Sequence, residues 1–198
     1  MATTVLFIEH LITGLQAGLW MSLLFFSCPY LERVGFDRIK GFEAFATLLA
    51  ISLLYPIGVF IDNFADHWLD ELSKDIRDKQ MQAKGIEDPD ITAMRVLMEV
   101  KDEFLKSYMN YIRTRVRISR SSVINFALIT IASIVFTISK LNGVSKFWLS
   151  LLICGELAFG TGMTYFAFWS WRKISETFTK QVARAYKTNL EINRAAKS

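Results

Sequence analysis

Residues 147–171 read FWLSLLICGELAFGTGMTYFAFWSW, an unbroken run from Phe147 to Trp171 in which Glu156 is the one charged side chain. At 1.5 Å of rise per residue a helix of this length covers about 37 Å, more than the roughly 30 Å of a bilayer's hydrocarbon core. The run therefore reads as a membrane span. Three further stretches share its character: about Thr4–Cys28, Phe42–Ile61 and Val123–Ser139, the last crossing only with help from its flanks. Composition agrees, since 52% hydrophobic and 14% aromatic residues do not suit an ordinary soluble surface. The expected fold is an all-α integral membrane protein with four transmembrane helices.

The spans divide the chain into residues 1–68 with the first two helices, a polar connection over 69–118, residues 119–172 with the third and fourth helices, and a basic tail over 173–198. No repeat, Gly/Ser linker or low-complexity tract separates them, so they are expected to act as one structural unit. No Lys or Arg precedes the first stretch, which therefore lacks the positive start of a cleaved signal peptide and reads as a retained helix. Arg33, Arg38, Lys40, Lys140 and Lys146 are the only basic residues in the two short loops, out of 23 Lys and Arg in the chain. Cationic segments stay on the cytoplasmic side, so both termini and the large connection are expected there. Trp68, Trp169 and Trp171 fall at the expected inner interface, and Tyr30 and Trp148 at the outer one. Cys28 and Cys154 lie too far apart in depth to bridge and read as packing residues.

Past the second span the helical pattern continues. Asp66, Asp70 and Lys74 are spaced at i, i+4, and Leu69, Leu72 and Ile76 form an apolar stripe, carrying the helix to about Ala83. Lys84-Gly85-Ile86-Glu87-Asp88-Pro89 reads as a turn, with Gly85 as a left-handed cap and Asp88 as N-cap before Pro89. Met94, Leu97, Met98, Phe104, Leu105 and Tyr108 then mark a second helix that runs into the third span, because no Gly or Pro interrupts residues 90 to 141. A cytoplasmic helical hairpin between helices 2 and 3 follows. Lys173 onward reads as a basic amphipathic helix.

Charged groups inside a span cost at least about 2.5 kcal/mol on insertion scales, so each asks for a partner, water or a task. Glu156 lies ten residues from Lys146, about 15 Å deep and near the midplane. It is either a pore-lining or proton-binding carboxyl or a protonated one hydrogen-bonded to a neighbouring helix. Gly155, Gly160 and Gly162 suggest close contact or flexibility around it. Glu9, His10, Thr13 and Gln16 place polar groups along the first helix beside a small stripe of Gly14, Gly18 and Ser22. That face either lines a pore or packs inside the protomer.

Glu9, His10, Asp62, Asp66, Arg117, Arg120 and Arg172 should lie at similar depth near the inner boundary. Asp62 and Asp66 share one helix face, and Arg113, Arg117 and Arg120 share another, so the two faces are expected to meet. The meeting is an orientation lock or a gate. Arg113, Arg115, Arg117, Arg120, Arg172, Lys173, Lys180, Arg184 and Lys187 also collect charge for an anionic ligand, with Tyr108, Tyr111 and Tyr186 as stacking surfaces. This is the electrostatic and aromatic mixture that holds single-stranded nucleic acid, although topology and anionic lipid headgroups account for basic rows equally well.

No Gly-rich phosphate loop, HExxH, Gly-x-Ser-x-Gly or metal-type Cys/His spacing occurs, and His10 and His67 are the only imidazoles. No enzyme activity, cofactor or metal is expected from these motifs.

The stretch Tyr55-Pro56-Ile57-Gly58-Val59-Phe60-Ile61-Asp62-Asn63-Phe64-Ala65-Asp66, with Arg113-Thr114-Arg115-Val116-Arg117 leading to Ser121-Ser122-Val123-Ile124-Asn125-Phe126, resembles small four-helix membrane effectors of bacterial anti-phage defence, of the Hailong type. The resemblance implies an oligomeric ion channel, a tetramer by preference, controlled by an oligonucleotide from a partner nucleotidyltransferase. Two other readings stand beside it. A small proton-coupled transporter would use Glu156 with Cys154, Thr161 and Thr164, and a non-conducting scaffold would present residues 69–112.

Overall fold

The computed structural model describes residues 2–28, 43–86, 103–141 and 143–195. The loop residues Tyr30, Arg33, Arg38 and Lys40, the Asp88-Pro89 cap, and Met94, Leu97 and Met98 lie outside the described residues. Among the described residues the fold is all-helical: α1 is Ala2–Ser27, α2 Glu43–Gln82, α3 Glu103–Lys140 and α4 Lys146–Ala195. All four are long and apolar enough to cross a membrane. The polar flanks are helical too. α2 has 40 residues, α3 38 and α4 50. The basic tail is thus the continuation of α4 and not a separate helix.

α2 ends as its sequence dictates. Gly85 takes φ of 64°, a left-handed conformation that only a residue without Cβ adopts cheaply. The Ile86 amide then donates back to the Met81 carbonyl at 3.1 Å, closing the last turn in a Schellman cap. Met81 and Ile86 are buried in one apolar cluster, the side-chain contact that accompanies this cap. Upstream, Pro56 sits inside α2 and withdraws one backbone donor from the ladder.

Two compact units share these helices, residues 1–66 with 118–168 and residues 67–117 with 169–198. The first unit has polar and small residues inside: Glu9, His10, Thr13, Asp62, Ser121, Ser122, Asn125 and Thr137 are buried, with Ala17, Ala65 and Ala132. Many of its large apolar side chains, among them Leu15, Leu19, Phe60, Ile131, Leu151 and Phe159, lie outside, while Ile61 and Ile124 are buried. Gly14 and Gly58 allow α1 and α2 to touch at the backbone. A Cβ on Gly14 would lie 1.9 Å from the Leu54 carbonyl oxygen, and one on Gly58 would lie 1.8 Å from that of His10. On the other side of this unit Gly160 meets Thr130, while Gly155 and Gly162 face open space.

The second unit packs conventionally. Met81, Ile86, Met109, Val182, Ala183 and Ala185 form its core, with Leu105, Phe178 and Tyr186 against it. Trp171 is also fully buried, so its ring packs within the chain. Cys28 and Cys154 are free and exposed, so neither packs inside the chain.

Candidate functional site

The close crossing of α1 and α2 sets the geometry of a buried polar group. His10 lies at the contact with Gly58, and Asp62 follows one turn later on α2, so their side chains meet: His10 Nε2 is 3.8 Å from Asp62 Oδ2. The His10 ring packs edge-on against Tyr55, with centroids 5.6 Å apart. Glu9 completes the group, since one donor atom from each of Glu9, His10 and Asp62 lies within 4.8 Å of the others.

α3 closes the other side. Arg120 Nη2 donates to Asp62 Oδ1 at 2.9 Å, and the Ser121 hydroxyl donates to the same oxygen at 3.1 Å. Arg120 Nη1 reaches Asp66 Oδ1. The Arg120 and Asp62 side chains are 11% and 4% exposed, whereas Asp66 is 63% exposed. The guanidinium thus ties a buried carboxylate to a surface one. Of the arginine row on α3, Arg120 reaches the Asp62/Asp66 face, and Arg113 and Arg117 fall in the second unit.

A second polar layer joins α1 to α3. Asn125, fully buried, donates to the Thr13 carbonyl and to Gln16 Oε1, both at 3.2 Å, and accepts from Trp20 Nε1 at 3.2 Å. Gln16 Nε2 donates to Ser122 at 3.1 Å. Glu9, His10, Thr13 and Gln16 therefore all turn inward within the chain. Asn125, Ser121 and Ser122 were not expected as site residues, although an amide after a Ser-Ser pair in an apolar run is the signal that could have marked them.

Glu156 is separate from both layers. Its Oε1 accepts a 2.7 Å hydrogen bond from Thr137 on α3, while Oε2 is buried with no hydrogen-bond partner among the described residues. It sits on the helix that the chain covers least, for only 6% of the α4 apolar window is buried against 44% for α3.

No known protein family, curated protein or solved structure matches this chain. The chemistry has to be read from the residues themselves.

In the second unit Arg113, Arg115, Arg172, Lys173, Lys180, Arg184 and Lys187 are exposed and Arg117 is half-buried. Arg115 lies over the Tyr111 ring at 5.7 Å and Lys173 over Trp169 at 4.9 Å, so aromatic faces hold two of the cations outward. Trp169, Arg172, Lys173 and Glu176 line a cavity of about 310 Å³. Arg172 lies 3.4 Å from Glu176, an acid that weakens the cavity's hold on an anion. Arg120, engaged by two carboxylates, belongs to the first unit and not to this basic surface.

Proposed function

We propose that the chain is a multi-pass protein of a bacterial inner membrane, both termini cytoplasmic, whose copies assemble into an ion channel. An oligonucleotide, or the partner protein that makes or carries it, gates the channel by binding the basic surface of the second unit. The membrane reading is supported by the inverted first unit, polar inside and apolar outside, as hydrocarbon solvent requires. The observation that carries the channel reading is the placement of Glu156. A carboxyl midway along the apolar run, on the helix with the least cover from its own chain, has one oxygen on Thr137 and the other buried without a hydrogen-bond partner among the described residues, a cost that water reaching it would relieve. Four helices leave little room for a conduit within one protomer, so an axis between copies is the natural path. The anti-phage role and the tetramer rest on the resemblance of residues 55–66 and 113–126.

Reconstitution tests this. Liposomes bearing the chain should leak small ions passively, with the leak changed at least tenfold by a phosphate-rich oligonucleotide, and the chain should run as an oligomer in nanodiscs. Leak-free uptake driven by a proton gradient would instead establish the transporter, and a monomer in nanodiscs removes the axial pore.

A further inference from the structure

We propose that Glu9, His10 and Asp62 form a binding site for a divalent transition-metal ion of the zinc class, between α1 and α2. This inference stands on the first unit alone and does not depend on the channel reading.

The donor set has the right chemistry. An imidazole nitrogen and two carboxylate oxygens suit zinc, manganese or cobalt, and three protein ligands with one open position are the pattern of zinc sites that also hold water. Spacing agrees. The 3.8 Å between His10 Nε2 and Asp62 Oδ2 is too long for a hydrogen bond. It fits two ligands of a common ion, which at about 2.1 Å from the metal stand roughly 3.4 Å apart at the tetrahedral angle and about 3.8 Å when that angle opens. The remaining donor, from Glu9, lies within 4.8 Å, a gap that small rotamer changes close.

The support around the ligands is also present. Asp62 is anchored through Oδ1, to which Arg120 and Ser121 both donate, and its Oδ2 turns toward His10. Hydrogen bonds of this kind orient a metal-binding carboxylate and sharpen its affinity. Tyr55 braces the imidazole ring. The backbones are pinned at the same place, since no side chain fits at Gly58 against the His10 carbonyl or at Gly14 against Leu54. A site built on two helices locked by backbone contact keeps its ligands in register. Glu9, His10 and Asp62 are 2%, 4% and 3% exposed, so an ion among them, with any water it binds, is held away from bulk solvent. Arg120 offsets part of the carboxylate charge but shares itself with Asp66.

The test is metal uptake by the purified full chain in nanodiscs, stripped with chelator and then given zinc alone. One zinc per chain should survive desalting. His10→Gln and Glu9→Gln should each weaken binding at least 100-fold, and Ser121→Ala about tenfold through the freed carboxylate. Glu176→Gln should retain full uptake. Zinc lost on desalting, or uptake unchanged in His10→Gln and Glu9→Gln, overturns the proposal. Should those variants not fold, cobalt added to the unsubstituted chain decides. The intense visible absorption of a four- or five-coordinate ion supports the site, and the weak spectrum of hydrated cobalt overturns it.

Discussion

Arg120 Nη2 and Asp62 Oδ1 form a 2.9 Å ion pair across the α2–α3 contact, with both side chains nearly removed from solvent. Removing one member of such a pair leaves a buried charge without its partner, which costs about 3–5 kcal/mol. In chelator-treated protein, Asp62→Ala or Arg120→Ala should lower unfolding stability by that amount. Asp66→Ala, on the exposed end of the same guanidinium, should cost no more than about 1 kcal/mol. Denaturant unfolding in micelles measures all three, and equal losses at Asp62 and Asp66 would contradict the buried-pair account.

Gly58 and Gly162 make a sharper contrast, because both are glycines in long helices yet only one meets backbone. Gly58→Ala forces the α1–α2 contact apart, and little folded protein should be recovered. Gly162→Ala meets open space and gains helix propensity, so its midpoint should stay or rise slightly. Size-exclusion profiles and thermal midpoints read both.

Asn125 spends its amide on three partners from α1: the Thr13 carbonyl, Gln16 and Trp20. Interhelical hydrogen bonds within apolar surroundings contribute about 0.6 kcal/mol each on average and up to about 1.7 kcal/mol. Asn125→Ala should therefore cost about 1–3 kcal/mol, and Trp20 fluorescence should shift as the indole loses its acceptor. An unchanged emission spectrum would remove the Trp20 link.

Thr137 supplies the hydrogen bond to Glu156. Thr137→Val keeps the side-chain shape and deletes the donor, at about 0.5–1.5 kcal/mol. Glu156→Gln should leave the fold intact and change ion flux in liposomes at least tenfold. Flux equal to that of the unsubstituted chain would take Glu156 out of the path.

On the second unit, Lys180 and Arg184 are exposed at i, i+4 on α4. Lys180→Glu with Arg184→Glu should weaken binding of a short single-stranded oligonucleotide and flatten its salt dependence, by about 0.7 in the log–log slope for each phosphate no longer neutralised. Fluorescence anisotropy across a salt series measures this. A slope equal to that of the unsubstituted chain would place the anionic ligand elsewhere.

The helices were legible because their cause is local. Four apolar runs, the third with its flanks, are long enough to cross a bilayer core, and the capping glycine at residue 85 ends α2 at Gln82, one residue short of the expected end at Ala83. The i, i+4 placement of Asp62 and Asp66 was likewise visible, and so was an arginine row able to face them. Sequence spacing could not choose among Arg113, Arg117 and Arg120, because that choice depends on the register between α2 and α3.

Within residues 147–171 the sequence by itself determined a helix able to cross a membrane and one carboxyl at its middle, since hydrophobic length and helical rise need no partner. Only the tertiary structure decided that Glu156 leans on Thr137, that Gly58 lies on the His10 backbone, and that Glu9, His10 and Asp62 converge. Those meetings join residues 19 to 53 positions apart in the chain, and their register depends on which small residues let two backbones touch, which the order of residues alone does not record.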